Sequence, residues 1–291
     1  MPRRTLSPGF PLDLGLTVGP LRRGRHDPTM RFAAGEVWRA TRTPEGAVTM
    51  HVQIRAGRIE ADAWGSGAAW SLDALPRLLG FEDDPAAFRP THDALRRLHR
   101  RFAGLRLGRT DALVEALVPS IIEQKVAGME AWRSYAALVR GLGEPAPGPG
   151  SLFLPPAPER LAGLPYHALH RFGIERRRAT SLIRACAHAP RLSKLTLPEV
   201  AGRILLTLPG IGPWTIEYVA MRALGDPDAF PTTDLGIRHA VERLGHPGDR
   251  AAVAALAERW RPWRAYAVQH LWASLAADAP PAAEPTTTAR A

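Results

Sequence analysis

This chain of 291 residues has few cysteines, few lysines and no long apolar run, and these features limit the classes of protein to which it can belong. It has one cysteine, Cys186, which excludes an internal disulfide, a zinc site built from cysteines and a cysteine-ligated iron–sulfur cluster. It has no uninterrupted run of about 18 apolar residues, and residues 1–20 hold no sustained apolar stretch, so neither a membrane span nor a secretory leader is predicted. Lysine is scarce, because Lys125 and Lys194 are the only two. Because neither a membrane span nor a secretory leader is predicted, we expect a soluble, intracellular protein.

Positive charge, by contrast, is in excess. The 38 lysines and arginines exceed the 28 aspartates and glutamates by 10. Residues 1–90 contribute 12 − 10 = +2 and residues 91–291 contribute 26 − 18 = +8, so most of the excess lies in the second region. An enzyme for a small anion seldom needs so much surplus charge, which makes a polyanion such as nucleic acid the leading class of partner.

The periodicity of apolar residues changes near residue 90. Before it, short alternating segments at 36–43, 48–54 and 58–64 predict a small antiparallel sheet, followed by a helix at 71–79. After it, the spacing is helical. The predicted helices are 92–105, 111–142, 157–172, 175–188, 197–206, 213–224, 235–244, 251–260 and 264–277, with a long loop at 143–158. The chain is thus predicted as α+β, with a sheet domain in 1–90, a helical domain in 91–279 and a disordered tail in 280–291.

The most informative segment is a hairpin at residues 208–215, Leu-Pro-Gly-Ile-Gly-Pro-Trp-Thr. Gly210 and Gly212 allow positive backbone dihedrals and close approach, and Pro213 suits the first turn of the helix that follows. The free amides and partial positive charge of a helix N-terminus hold a phosphate without reading a base. The same hairpin also serves as a plain connector between core helices, so it does not decide the function alone.

An aspartate, Asp234, follows Trp214 by twenty residues, at the predicted start of a helix. Its simplest role is an N-cap, which also keeps a carboxylate ionised and fixed in orientation. A hairpin followed at this spacing by an acid resembles the helix-hairpin-helix DNA glycosylase superfamily. The resemblance implies that Asp234 is catalytic, a role compatible with capping.

One sequence position distinguishes the members of that superfamily that also cleave the DNA strand from those that only release the base. Bifunctional members carry a lysine early in the second hairpin helix, and its amine attacks the sugar C1′ and leads to strand cleavage. Here that position is Trp214, and neither lysine lies in the hairpin. The resemblance therefore implies a monofunctional glycosylase without a lyase step. The single cysteine also excludes the members that carry an iron–sulfur cluster.

Two further segments resemble the alkylbase subfamily, DNA-3-methyladenine glycosylase II. Residues 10–17 are similar to the start of its N-terminal sheet domain, and residues 259–267 to its C-terminal Arg-Trp-x-Pro-Trp-Arg signature. Trp214 and Tyr218 share one helix face, and Trp272 aligns with the stacking position of the subfamily. We expect these three rings to line the pocket for a flipped base, where they attract the positive charge of an alkylated purine. Core packing is the alternative role for each ring.

Relatives fill the gap left by the flipped base with a wedge from a segment of the form Ile-Leu-Gly-Gln-x-Val. Here residues 121–126 read Ile-Ile-Glu-Gln-Lys-Val, which places Lys125 at the wedge position. We expect Gln124 and Lys125 to probe the gap by hydrogen bonding, the alternative being that Lys125 is solvated and contacts a phosphate. The residues predicted to bind DNA are Leu208, Gly210, Ile211, Gly212, Thr215, Gln124 and Lys125.

No cofactor and no metal site built from side chains is expected. The resemblance implies a monovalent cation held by hairpin backbone carbonyls beside the DNA phosphate. His167 and His170 are three residues apart, which is weak support for a metal, and they are interpreted with His99, His239 and His270 as surface or hydrogen-bonded core residues. Cys186 is predicted to be buried and inert.

The predicted function is the release of alkylated purines, of the 3-methyladenine and 7-methylpurine type, from double-stranded DNA in base excision repair. Asp234 would stabilise the oxocarbenium-like sugar and orient or deprotonate the attacking water. We expect a cytoplasmic, nucleoid-associated monomer. Two alternatives stay open, a non-catalytic helix-hairpin-helix protein that binds damaged DNA and a glycosylase of the same fold for deaminated bases. The first has no need of a carboxylate that would repel the DNA backbone.

Overall fold

A computed structural model describes residues 2–278 of the chain. Its N-terminal region is a five-stranded antiparallel sheet with the strand order β1-β5-β4-β3-β2. The strands are β1 (Arg3–Leu6), β2 (Met30–Ala33), β3 (Glu36–Thr43), β4 (Gly46–Arg55) and β5 (Arg58–Trp64). The three predicted strands are confirmed. The two edge strands were not predicted, because an alternating pattern is hard to recognise over four residues.

The remainder of the described chain is mostly helical. The α-helices in residues 2–278 are α1 (Leu14–Thr17), α2 (Ala68–Leu78), α3 (Asp93–Arg101), α4 (Leu113–Ile122), α5 (Gly128–Leu142), α6 (Pro158–Ala162), α7 (Arg176–Ala187), α8 (Ala189–Leu192), α9 (Pro198–Leu206), α10 (Pro213–Val219), α11 (Leu235–Arg243), α12 (Arg250–Glu258) and α13 (Arg264–Ala277). Short 3₁₀ segments are Gly19–Leu21, Pro85–Ala87 and Tyr166–Phe172, and a π-helical turn, Ala220–Leu224, continues α10. The α+β class is confirmed.

Two of the predicted helices are wrong as single elements. The segment 111–142 is divided into α4 and α5, because Lys125 has a φ of +57°, in the left-handed region that a right-handed helix does not use. The segment 157–172 is divided into α6 and a 3₁₀ segment, with Pro165 between them; proline lacks the N–H that a helix interior needs. The wedge segment 121–126 therefore lies at a break between two helices.

The sheet is covered by α2, whose buried Leu72, Leu75 and Leu78 join a core with Met50 and Ile59. The predicted loop 143–158 holds a two-stranded ribbon, β6 (Glu144–Pro145) and β7 (Phe153–Leu154). Leu152 and Leu154 of this loop pack on Ala40 of β3. The connector thus joins the helical region to the sheet.

The helical region contains two apolar clusters. One is built from α4, α5, α7 and α9, and the other from α3, α11, α12 and α13. The helix that continues from α10 into the π-helical turn contributes to both, with Val219 and Ala223 in the first cluster and Ala220 and Met221 in the second. The second hairpin helix therefore lies where the two clusters meet.

The predicted tail 280–291 lies outside the described residues. The division into a sheet domain and a helical domain at residue 90 stays a prediction. None of the helices in residues 2–278 has the length and apolarity needed to span a bilayer.

Candidate nucleic-acid interface and active site

The hairpin between α9 and α10 is held in place by two buried apolar side chains. Leu208 and Ile211 are buried in the first apolar cluster. Gly210 has a φ of +89°, and a Cβ built there would lie 2.0 Å from the Oγ of Ser181, so the position requires glycine. Gly212 has a φ of −116°, so its expected positive dihedral is wrong. A Cβ at Gly212 would meet no atom within 4 Å, which leaves this side of the turn open.

Backbone amides at the exposed turn have no partner in the described chain. The N–H groups of Gly210 and Gly212 donate to no acceptor in residues 2–278, and Pro213, the first residue of α10, has no N–H. Amides of this kind, at an open turn in front of a helix, are suited to phosphate oxygens.

Gln124 connects the wedge segment to the hairpin. Its Nε2 donates to the carbonyl oxygen of Gly210 and to the Oγ1 of Thr215, both at 3.0 Å. Thr215 is 1% exposed, so its side chain does not reach the surface in this arrangement. Lys125 is exposed at the break itself. The structure brings these predicted residues to one place, and their contacts with DNA stay predictions.

A basic groove of about 480 Å³ lies beside the hairpin turn. Arg176, Arg177 and Arg184 of α7 line one side, and Pro209 and Gly210 line the other. The next arginine of α7, Arg178, is buried, and its guanidinium donates to backbone carbonyls of Ile122 and Gly173. The three groove arginines are exposed, Arg176 over the ring of Tyr166 and beside Glu175, whereas Arg178 holds the end of α4.

Asp234 is the N-cap of α11, as predicted. Its Oδ1 accepts the backbone N–H of Ile237 and the indole Nε1–H of Trp272, each at 3.0 Å. Its Oδ2 accepts the indole Nε1–H of Trp214, also at 3.0 Å. Three N–H donors from α10, α11 and α13 therefore fix both oxygens of one partly buried carboxylate.

Two neighbouring contacts help to position this carboxylate. Glu217 of α10 accepts the backbone N–H of Phe230 at 2.9 Å, which holds the loop that leads to Asp234. Burial raises the pKa of Glu217. Gly236 lies behind the carboxylate, where a Cβ would be 3.1 Å from Oδ1 of Asp234 and 3.3 Å from Nε1 of Trp272. A larger residue there would press on both atoms.

The three predicted pocket rings form one cluster beside Asp234. Trp214 stacks on Tyr218 with ring centroids 5.2 Å apart and an interplanar angle of 19°. Tyr218 is tilted against Trp272 at 6.0 Å. Tyr218 is 6% exposed, and the two tryptophans are partly exposed.

Two arginines that were not predicted for the pocket lie over these rings. The guanidinium carbon of Arg23 is 5.3 Å from the centroid of Tyr218 and that of Arg222 is 5.4 Å from it. Arg222 is also 5.3 Å from the centroid of Trp272. The spacing of 214, 218 and 222 is four residues each time, so one helix face was the signal for Arg222. Arg23 is distant in sequence and gave no such signal.

Arg23 is held by groups from three parts of the chain. It donates to the hydroxyl of Tyr218 and forms an ion pair with Glu123 at 3.3 Å. Burial opposes its charge, but Glu123 and Tyr218 outweigh burial and raise the pKa of Arg23. Its loop rests on α5, where the indole of Trp132 leaves no room for a side chain at Gly24. Glu123 stands where the family form of the wedge segment has glycine, so the ion pair accounts for that departure.

The remaining candidate residues have structural surroundings. Cys186 is buried, and burial raises its pKa to about 12. His270 is buried; its Nδ1 donates to the carbonyl of Tyr266 at 2.6 Å, and its Nε2 lies 3.2 Å from Nδ1 of His99. Within residues 2–278, no group of three or more histidine, cysteine, aspartate or glutamate side chains is arranged to hold a metal.

This geometry agrees with the comparison to known proteins. The sequence model of a family described as "HhH-GPD superfamily base excision DNA repair protein" matches residues 118–265, just over half of the chain. The chain belongs to the HhH-GPD superfamily. The matched range includes the wedge segment, the hairpin and Asp234. The resemblance to helix-hairpin-helix glycosylases is thereby confirmed.

Individual relatives place the chain near alkylbase glycosylases. It is 33% identical over 229 residues to "DNA-3-methyladenine glycosylase 2" of Escherichia coli, covering 77% of this chain and 76% of that protein. It is 38% identical over 205 residues to "Probable bifunctional transcriptional activator/DNA repair enzyme AlkA" of Mycobacterium tuberculosis, covering 68% of this chain. The match covers only 41% of that longer protein.

A solved structure has the same fold. The "3-methyladenine dna-glycosylase from Archaeoglobus fulgidus" superposes with a TM-score of 0.80 at 22% identity, over 93% of this chain and 97% of that one. This likeness confirms the fold, with a sheet followed by helices around the hairpin.

Proposed function

We propose that this HhH-GPD protein is a monofunctional DNA glycosylase that hydrolyses the N-glycosidic bond of alkylated purines in base excision repair. The observation that carries the proposal is the Asp234 carboxylate, fixed by the indole N–H groups of Trp214 and Trp272 beside the hairpin. A protein that only bound DNA would have no use for a positioned carboxylate next to phosphates. The names of the Escherichia coli and Archaeoglobus fulgidus relatives support the 3-methyladenine type of substrate.

The chemistry requires an extruded nucleotide, since the glycosidic bond of a stacked base is out of reach. As the bond between C1′ and the base nitrogen breaks, its electron pair leaves with the base and positive charge develops on the sugar. The ionised carboxylate of Asp234 stabilises that charge. A water oxygen then bonds to C1′, and Asp234 accepts the proton that the water loses. The products are the free base and an abasic site.

The residue at the position where bifunctional members carry their lysine supports hydrolysis without strand cleavage. Trp214 occupies it, and its side chain donates to Asp234 rather than presenting an amine. Lys125 lies in the wedge segment and Lys194 lies between α8 and α9, away from the hairpin in sequence. No Schiff base with the sugar is therefore expected.

DNA is expected to bind across the hairpin turn and the basic groove. The free amides of Gly210 and Gly212 and the arginines of α7 would contact backbone phosphates, which fixes the register without reading sequence. Hairpin carbonyl oxygens, that of Gly210 among them, are hard ligands that suit a monovalent cation; the Gly210 carbonyl already accepts from Gln124 and has a second lone pair. Such an ion would add positive charge at the phosphate. The cation, a monomeric state and nucleoid association in the cytoplasm stay predictions.

The decisive experiment compares the protein with its Asp234→Asn variant on duplex DNA containing 7-methylguanine. The wild type should release the free base, identified by mass spectrometry, and leave an abasic strand that stays intact until treated with alkali. The variant should lose base release while retaining or tightening DNA binding. Binding without any release by the wild type would instead identify a damage-binding protein. Equal release by wild type and variant would refute the role of Asp234.

A further inference from the structure

Arg222 is the charged residue most closely associated with the aromatic cluster. It lies in the π-helical turn that continues α10, and such turns are frequent at functional sites. Its guanidinium contacts the faces of both Tyr218 and Trp272, whose centroids are 6.0 Å apart. The residue is 6% exposed, and within residues 2–278 its buried Nε has no hydrogen-bond partner.

The charges around this cluster differ in how they are balanced. Arg23 is paired with Glu123 at 3.3 Å. Asp234 receives only neutral N–H donors, from Ile237 and the two indoles. No ion pair in the described part of the chain includes Arg222, and the acid whose charge acts on it, Glu123, is the one already paired with Arg23. Two arginines thus share one carboxylate, which leaves one net positive charge beside these rings.

Two of the three rings expected to hold the flipped base, Tyr218 and Trp272, thus already contact a guanidinium. A ring engaged in a cation–π contact on one face attracts a second cation less on the other, and two positive charges repel across a partly buried site. A neutral purine experiences no such repulsion. It also presents acceptor atoms, to which a guanidinium donates readily.

On the basis of the proposed function, we infer that Arg222 is a specificity-determining residue that shifts the site from positively charged bases towards neutral ones. Hypoxanthine represents the neutral class of base, and 7-methylguanine represents the charged class. Removing the charge of Arg222 removes the repulsion of a charged base, whereas a neutral base experiences no such repulsion, so release of the charged base gains relative to the neutral one.

The test measures single-turnover rate constants for release of 7-methylguanine and of hypoxanthine from otherwise identical duplexes. The quantity of interest is the ratio of the two rate constants, which a general loss of packing does not change. In Arg222→Gln the ratio should rise by about tenfold, the size expected for one charge at this separation in a partly buried site. In Arg222→Lys, which keeps the charge, it should stay within about twofold of the wild type. Arg39→Gln is the matched control, because Arg39 is also buried but pairs with Glu115 at the sheet.

A second variant, which changes the charge of the cluster in the opposite direction, keeps the inference testable if Arg222→Gln does not fold. Glu123→Gln leaves Arg23 unpaired and so adds positive charge to the same cluster, which should lower the ratio. A ratio unchanged in Arg222→Gln, raised equally in Arg222→Lys, or not lowered in Glu123→Gln would overturn the inference while leaving the glycosylase activity intact. Release of neither base by the wild type would overturn the proposed function and this inference together.

Discussion

The indole Nε1 of Trp272 lies 3.0 Å from Oδ1 of Asp234, an oxygen that also accepts the amide of Ile237. The carboxylate therefore joins the last helix to the first turn of α11. The corresponding bond from Trp214 joins it to the second hairpin helix. The direction of the carboxylate is set by these three elements together and not by the local N-cap alone.

Trp272→Phe tests this arrangement, because it keeps an aromatic ring and removes the N–H donor. A hydrogen bond to a charged group contributes about 1.5–3 kcal/mol, so we expect the single-turnover rate of base release to fall by about tenfold to a hundredfold. Trp214→Phe should act in the same direction. Trp263→Phe is the control, since Trp263 packs on the same apolar cluster without a bond to Asp234. An equal loss in the control would assign the effect to packing.

The groove beside the hairpin predicts a lesion-independent contribution to DNA binding. Arg177→Ala and Arg184→Ala should each weaken binding to damaged and undamaged duplexes alike and reduce the slope of log affinity against log salt by about one. Fluorescence anisotropy over a series of salt concentrations measures both effects. Arg191→Ala, an exposed arginine of α8 outside the groove, should leave the slope unchanged. A change in the slope for Arg191 as large as for the groove variants would contradict a localised contact.

Lys125 occupies the break between α4 and α5 with a left-handed backbone. If the Lys125 side chain fills the gap left by the flipped base, it offsets part of the free-energy cost of unstacking that base. Lys125→Ala should then slow single-turnover base release by about tenfold. Lys125→Gly separates side chain from backbone, because glycine adopts this φ without strain. Release at the wild-type rate in both variants would leave Lys125 as a phosphate contact only.

His270 predicts a dependence of stability on pH. Burial lowers its pKa from 6.5 to about 4 in the folded chain, so between these values the unfolded chain binds a proton that the folded chain does not. The free energy of unfolding should therefore fall as pH decreases from 6.5 to 4, by up to about 3 kcal/mol for this shift. Urea denaturation at several pH values measures it. His270→Gln should flatten the dependence, whereas the same change at the exposed His239 should not.

Local patterns were sufficient where the chemistry is local. The Asp234 cap, the helix 264–277 and the shared face of Trp214 and Tyr218 follow from spacing and capping preference, and the structure has each of them. The break at Lys125 was missed, because apolar spacing continues through residues 111–142 and a single left-handed residue leaves no trace in the pattern. Helical periodicity cannot show where the backbone reverses its sign of φ.

Contacts across the chain were beyond the reach of sequence patterns. Arg23 lies in the N-terminal region, where nothing in the sequence indicated a contact with the hairpin helices, yet it is buried against Tyr218. Gln124 also donates to the carbonyl of Gly210 and the hydroxyl of Thr215, contacts that its sequence position did not indicate. Both outcomes depend on tertiary packing that brings residues 195 and 86 positions apart into contact.

The position of Arg23 has a consequence for any shortened form of this protein. A fragment that began after the sheet would retain the hairpin, Asp234 and the three rings, but it would lack the partner of Glu123 and of the Tyr218 hydroxyl. Glu123 would then lie beside the aromatic cluster without its counter-ion. The N-terminal region therefore contributes a residue to the candidate site, and a fragment without that region would not reproduce the charge around the rings.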